Sequence, residues 1–402
     1  MPVLKFEQAR ASVIERVRLS RKLAAPETVS LLASAGRVLA EPVNADRDFP
    51  PFHRATRDGY AVRSADVKQT PARLRLKGQV RAGSFFSETV GARECVEIMT
   101  GAPVPEGADA VVMVEHTVLR GEWVQVNRSV APAENVVVRG SEARQGDCLI
   151  PAGRRIRYGE VAMMAAVGMQ SVSVYRQPRV AILPTGDEVV ELGATPGPYQ
   201  IRNSNSLSLQ VQVASADCVP LPLGIAPDRE DRLREMITEG LRADLLLLSG
   251  GVSVGKYDLV EKVLGELGAE FFFDGVAIQP GRPLVFGRAK ETFFFGLPGN
   301  PLSTMVTFEL FVRPALALLS GEDGSPLIFL RARLARDVRR KPGLAAFLPA
   351  VLESNGHDTL VSPVEWKGSG DVAGLNRANC YLAIPAHAEE LRAGEWVSVL
   401  PR

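Results

Sequence analysis

Three glycine-rich turns lie close together in this chain, each at the end of an apolar run. Pro184-Thr185-Gly186-Asp187-Glu188 follows residues 180–183. Ser249-Gly250-Gly251-Val252-Ser253-Val254-Gly255-Lys256-Tyr257-Asp258 follows residues 245–248. Gly296-Leu297-Pro298-Gly299-Asn300-Pro301-Leu302-Ser303 follows residues 293–295. Glycine lets the backbone approach a ligand and adopt positive φ. A helix starting just afterwards offers free N–H groups to an anion. The hydroxyls of Ser249 and Ser253 suit phosphate oxygens, and Asp258 stands where a divalent cation would need a hard oxygen ligand. Asp187, Glu188 and Asp228 add carboxylates. The pattern predicts a phosphate-bearing ligand held at the carboxyl ends of several strands.

Plainer readings exist for each piece. Asp258 could cap the following helix, and Asp228, with Asp231 three residues on, could cap another. Thr185-Gly186-Asp187 could be a solvated surface turn. Pro280-Gly281-Arg282-Pro283 is a rigid turn presenting one cation, or simply an exposed loop. Pro298-Gly299-Asn300-Pro301 is harder to dismiss, because two prolines fix the chain while Gly and Asn open it. Earlier in the chain, Asp58-Gly59 has the form of a hairpin turn, and Thr100-Gly101-Ala102-Pro103-Val104-Pro105 is a second compact turn.

The elements that must hold these turns follow from apolar spacing. Residues 6–17 and 29–39 have helical periodicity. Residues 42–142 carry short alternating runs and turn signals, indicating strands. Residues 158–167 read as a helix with Val161, Met164, Ala165 and Gly168 on one side. From residue 178, strands at 180–183, 219–224, 245–248, 284–286 and 292–295 alternate with helices at 206–214, 229–241, 259–267 and 302–319. The last of these helices is expected to bend at Pro314. Such alternation predicts a doubly wound, mostly parallel sheet. From residue 326 the chain is strand-like again, with a turn at Gly368-Ser369-Gly370, and reads as a small β domain.

Bulk properties narrow the function. With 402 residues the chain has room for two to four domains. Its 47 basic and 46 acidic side chains give a net charge of +1. No large field draws in nucleic acid or an anionic membrane. The charged first residues are unlike a secretory signal. No run approaches the ~18 apolar residues of a membrane span. Cys95, Cys148, Cys218 and Cys380 are scattered without zinc spacing or a disulfide framework, so buried or partly buried thiols in a reducing cytoplasm are expected. His53, His116, His357 and His387 do not cluster either.

Taken together, these motifs resemble the MoeA family, the molybdopterin molybdenumtransferases that include the matching domain of gephyrin. The resemblance spans nearly the whole length. It rests on Pro51 to Val62 with its Asp58-Gly59-Tyr60-Ala61-Val62, on Thr100-Gly101-Ala102 with Pro105, and on Asp228. The three glycine turns and the 280–283 turn complete it. It implies a multidomain α/β plus β protein in four parts. Residues 1–41 and 143–177 form an elongated helical domain, and 42–142 an inserted β-rich domain. Residues 178–322 form the α/β molybdopterin-binding domain, and 323–402 a C-terminal β-barrel. It also implies a homodimer in which Asp58 and Thr100 close the site from the other subunit.

The implied reaction takes adenylylated molybdopterin and molybdate to molybdenum cofactor and AMP, with Mg²⁺. Asp58, Thr100, Glu188, Asp228 and Asp258 are the implied catalytic set. Asp258 and Asp228 hold the metal, and Glu188 or Asp58 orients the attacking group. Thr185, Gly186, Asp187, Ser249, Gly250, Gly251, Ser253, Gly255, Arg282, Pro283, Pro298, Gly299, Asn300 and Ser303 bind substrate. The enzyme that supplies the adenylylated substrate is a candidate partner.

The chain departs from the family pattern in places. Gln279 and Arg282 stand where many members have Lys. Leu344 and Pro349 stand at arginine positions, and Ala346 at an acidic one. Ser141-Glu142 replaces a usual Glu-Asp. Cations are thus missing where molybdate is expected, and Arg339 or Arg340 could supply them. A pterin-binding carrier without metal insertion is the alternative. An adenylyltransferase is a third reading, opposed by the extra domains at both ends.

Overall fold

A computed structural model describes residues 3–251, 259–323, 327–354, 356 and 358–402. The chain forms two compact units: Met1–Ala40, Gly153–Arg157 and Val172–Arg402 in one, Glu41–Ala152 and Tyr158–Ser171 in the other.

Helix α1 (Phe6–Ser20) buries Ala9, Val13 and Val17, the stripe expected from helical spacing. Residues 29–39 are not a helix. Strand Pro26–Ser30 is followed by a short 3-10 turn, Leu32–Ser34. The Gly36 N–H then donates to the Ile156 carbonyl and the Leu39 N–H to the Arg154 carbonyl. Leu32, which would lie on the apolar helical face, is 85% exposed. A short amphipathic run cannot by itself separate helix from paired extended chain.

The second unit holds a six-stranded sheet. Its order is Ala110–Met113, Gly59–Val62, Glu94–Ile98, Ala72–Val80, Trp123–Val126, Thr117–Arg120. Asp58-Gly59 is therefore no hairpin turn. Gly59 opens a buried strand, where a Cβ would lie 1.9 Å from the Val112 carbonyl oxygen. In helix α2 (Tyr158–Ala166) only Met164 of the expected face is fully buried.

In the first unit a central six-stranded sheet has the order Val219–Pro222, Arg179–Pro184, Leu245–Ser249, Thr292–Leu297, Val285–Ala289, Glu270–Phe273. The first four strands are parallel, and the last two add antiparallel neighbours. Alternate residues face opposite ways along each strand. Val180, Ile182, Leu245, Leu247, Phe293 and Phe295 join one core. Helix α3 (Ser204–Ser215) contributes Leu209 and Val213 to it. Ala181, Leu183, Leu246, Leu248 and Phe294 join the other, which is covered by α4 (Glu230–Gly240) and α5 (Leu259–Glu266). Burial on both faces explains why these strands read as unbroken apolar runs.

The 302–319 helix is in fact three pieces. Helix α6 (Pro301–Thr307) passes through a π turn (Phe308–Val312) into α7 (Arg313–Leu319). Pro314 has no N–H and its ring crowds the carbonyl four residues back, so the ladder widens just ahead of it. Contrary to the expectation of no such run, Pro301–Leu319 is long and apolar enough to cross a membrane. It is 83% buried inside the protein, which identifies it as a core helix.

The C-terminal strands close into a barrel. Ala345–Ser354, Thr359–Pro363, Leu330–Leu334, Trp396–Pro401 and Cys380–Ile384 pair in sequence, and the last returns to the first. Strand Ile278–Gln279 adds to its edge. Helix α8 (Val372–Asn376) is capped by Asp371, whose side chain accepts from the Gly374 N–H at 2.8 Å. Cys95, Cys218 and Cys380 are buried, and burial pushes their thiols up to about 12, 11 and 11. Cys148 is exposed, against the expectation of burial.

Candidate functional site

The three glycine turns meet. Strands Arg179–Pro184, Leu245–Ser249 and Thr292–Leu297 are adjacent and in register, with Pro184 beside Ser249 and Ser249 beside Leu297. Their carboxyl ends therefore deliver Thr185, Gly250 and Pro298 side by side. The strand order reverses here, since Val219–Pro222 lies on the far side of Arg179–Pro184. Open α/β sheets bind ligands at such a switch point.

The backbone of the turns is held closely. The Thr185 N–H donates to the Ser249 carbonyl at 3.0 Å, and the Gly250 N–H to the Leu297 carbonyl at 3.3 Å. Gly250 and Gly251 have φ of +91° and +64°. A Cβ on Gly250 would lie 2.7 Å from the Thr185 carbonyl oxygen, and one on Gly251 would lie 2.6 Å from Thr185 Oγ1. Only glycine serves at these two positions. Ser253, Gly255 and Asp258 lie outside the described residues.

A narrow cleft opens between the first turn and α3, lined by Thr185, Glu188, Arg202, Asn205, Ser249 and Gly299 among others. Asn205 ties the turns together. Its Nδ2 donates to Ser249 Oγ at 2.9 Å and to the Gly299 carbonyl at 2.8 Å. Because that carbonyl can only accept, the amide orientation is fixed. Sequence reasoning missed Asn205 and Arg202 because it began the helix at Ser206. The signal was Asn203, whose side chain caps the helix by accepting from the Ser206 N–H.

The acids are placed as follows. Glu188 folds back over Gly186, where a Cβ would lie 2.4 Å from its Oε2. Asp187 Oδ1 accepts from the Asp228 N–H at 3.1 Å. Partial burial, and then the charges of Asp187 and Glu188, raise the Asp228 carboxyl above its ordinary value of 3.8. Among the described residues, no group of three or more His, Cys, Asp or Glu is close enough to hold a metal.

The Asp228 shift has a signed consequence. A carboxyl raised in the folded state adds stability below its unfolded pKa and loses it as pH rises through the folded value. Ionised Asp228 therefore weakens the fold at neutral pH. Asp228→Asn is expected to raise Tm by about 1 °C at pH 7, with the gain shrinking as pH falls toward 4. Thermal melts across that range check it.

In the other unit the structure joins Asp58 and Thr100. The Thr100 N–H and Oγ1 donate to Asp58 Oδ1 at 2.7 and 2.8 Å. Those two bonds hold the Asp58 carboxyl below its usual range.

Not every expected residue joins the cleft. Gly281 packs on α6, where a Cβ would come 2.5 Å from Thr307 Cγ2. Arg282 and Pro283 do not line the cleft. Ser303 is buried within α6. Asn300 precedes α6 but its side chain makes no cap bond.

Three of the departures from the family pattern, at Gln279, Leu344 and Ala346, lie along one strand edge. Gln279 pairs with Ala346 and Ile278 with Ala345, placing Leu344 at the same edge. Arg340 Nη1 donates to the Leu344 carbonyl at 2.7 Å, while its Nε and Nη2 are buried without a partner. Arg339 is already paired, through a 2.8 Å bond to Glu390.

Comparison with known proteins gives the chain's family. Residues 4–168 match "MoeA N-terminal region (domain I and II)", 181–318 match "Probable molybdopterin binding domain", and 331–401 match "MoeA C-terminal region (domain IV)". A molybdopterin molybdenumtransferase of Bacillus subtilis is 33% identical over 396 residues, covering 96% of this chain and 92% of the relative. The chain belongs to the MoeA family. A Haemophilus influenzae molybdopterin molybdenumtransferase is 32% identical, over 99% of this chain and 98% of its own. The MoeA crystal structure from Pyrococcus horikoshii OT3 superposes over 100% of both chains with a TM-score of 0.83 at 30% identity. This MoeA member thus has the α/β domain, β-rich part and C-terminal barrel that the sequence led us to expect.

Proposed function

We propose that the chain inserts molybdenum from molybdate into adenylylated molybdopterin and releases AMP, as a step of molybdenum cofactor biosynthesis. The observation that carries this is the convergence of three glycine turns and the Glu188 carboxylate at the switch point of a MoeA-family α/β sheet. The turns hold phosphate and nucleotide through backbone N–H groups. Glu188 orients the group that attacks the phosphoanhydride. Hard carboxylate donors at Asp228 and Asp258 suit Mg²⁺, and the charges of Asp187 and Glu188, which together with burial raise Asp228, fit a nearby cation. Mg²⁺, when bound, supplies charge neutralisation on the phosphate oxygens.

The same reading makes the chain a homodimer acting in the cytoplasm, with Asp58 and Thr100 of a second copy closing each crevice. Asp58 is exposed and held ionised by Thr100, which suits it to that role. The enzyme that adenylylates molybdopterin hands over the substrate.

The test is AMP release from adenylylated molybdopterin with Mg²⁺, with and without molybdate or tungstate. Oxyanion-dependent AMP release is expected. A second reading, a pterin-binding carrier, draws on the uncharged edge formed by Gln279, Leu344 and Ala346. Tight molybdopterin binding without AMP release would favour it and overturn the first.

A further inference from the structure

The cleft beside α3 contains donors that the glycine turns do not supply. The first N–H groups of a helix lack acceptors within it. In α3, 12 residues long, the Asn203 N–H reaches the Val190 carbonyl and the Ser206 N–H reaches Asn203 Oδ1. The N–H groups of Ser204 and Asn205 remain, and both residues line the cleft. The helix dipole adds partial positive charge at that end.

Two side chains point the same way. Arg202 lines the cleft, is exposed, and has no hydrogen bond or ion pair among the described residues. Thr185 also lines it, is only 1% exposed, and its Oγ1 has no partner among the described residues. A buried hydroxyl without a partner is costly unless a ligand meets it. Glu188 is the opposing charge in the cleft, and its carboxylate is turned over Gly186.

Size and contrast narrow the occupant. The cleft offers about 50 Å³ to the centres of water molecules. At roughly 10–15 Å³ for one water, that is room for one tetrahedral oxyanion. The start of α6 is less available. Pro301 has no N–H, and the Leu302 N–H already donates to the Ser369 carbonyl of the barrel turn at 3.0 Å.

We propose that the start of α3, with Arg202 and Thr185, is the subsite for one phosphate group of the substrate, Thr185 being the one donor it shares with the glycine turns. The phosphate is the pterin side or the adenylyl side of the phosphoanhydride. That choice rests on the proposed function, whereas phosphate binding does not.

Isothermal titration of the full chain with inorganic phosphate and with AMP tests it. Arg202→Ala is expected to weaken binding of at least one by about tenfold or more, and Arg202→Lys to restore part of the loss. The ligand-free Tm should not move, because the side chain is exposed and unbonded. Loss with AMP assigns the adenylyl phosphate, and loss with inorganic phosphate alone assigns the pterin phosphate. Wild-type protein that binds neither, or Arg202→Ala that binds both unchanged, overturns the subsite. Failure of AMP release in an otherwise phosphate-binding wild type would instead overturn the proposed reaction and leave the subsite standing.

Discussion

Glu188→Gln is expected to lower oxyanion-dependent AMP release by about 100-fold to 10,000-fold, the usual range for loss of a positioned acid or base. The substitution keeps volume and removes charge. Glu188 sits where Arg179–Pro184 ends, over a glycine that leaves space for it, and lines the crevice. Gly186 keeps its φ of +129°, so the turn itself is not disturbed. Tm should be unchanged, and Glu191→Gln, a few residues along the same loop, should retain full activity. AMP release within threefold of wild type in both Glu188→Gln and Glu188→Ala would remove Glu188 from the mechanism. In that event Asp58, the other carboxylate proposed to orient the attacking group, becomes the next variant to assay.

The second large effect concerns stability. Arg155 joins three distant stretches of chain. Its Nε donates to Glu322 at 2.7 Å, and Nη1 donates to Asp217 at 2.8 Å and to the Gly36 carbonyl at 2.6 Å. The Arg155 and Glu322 side chains are only 17% and 18% exposed. Removing one partner of a buried pair leaves the other charge uncompensated, which costs about 3–5 kcal/mol. Arg155→Ala should therefore lower Tm by roughly 5–10 °C, allowing for the size of the chain. Arg155→Lys should fall between, because one ammonium cannot serve three acceptors in this fork geometry. Adding Glu322→Gln to Arg155→Ala should recover part of the loss. Denaturant melts of the four proteins check this, and an Arg155→Ala change under 0.5 kcal/mol would show the clamp to be dispensable.

The parallel strands were readable because they are buried on both faces, so 180–183 and 245–248 stood out as pure apolar runs. The stretch at 29–39 misled because its spacing suits either a helix or extended chain, and the partner that decides, around Ile156, is remote in sequence. The glycine turns were readable as separate motifs. Their convergence needed the sheet order, which no local pattern contains. Asn205 and Arg202 escaped because a polar run ahead of a helix looks like loop until its capping residue is identified. The bond between Asp58 and Thr100 has no signature in spacing, and only the family resemblance suggested pairing them. The family resemblance put Gln279 and Leu344 in one neighbourhood, but the pairing of Gln279 with Ala346 emerges only from the strand register.

That last pairing bears on how the protein comes apart. Ile278–Gln279 leaves the α/β sheet region and adds to the barrel edge beside Ala345 and Ala346. Phe347, Tyr381 and Leu400 of the barrel share one core with Leu302, Phe311 and Leu316. The boundary between the two domains in sequence is therefore not a boundary in cooperativity. Hydrogen exchange should show barrel and α/β amides opening together, and a chain truncated near residue 322 would leave a raw apolar face where the barrel had been. A barrel of this kind is better regarded as the last layer of the α/β domain's core than as a detachable module.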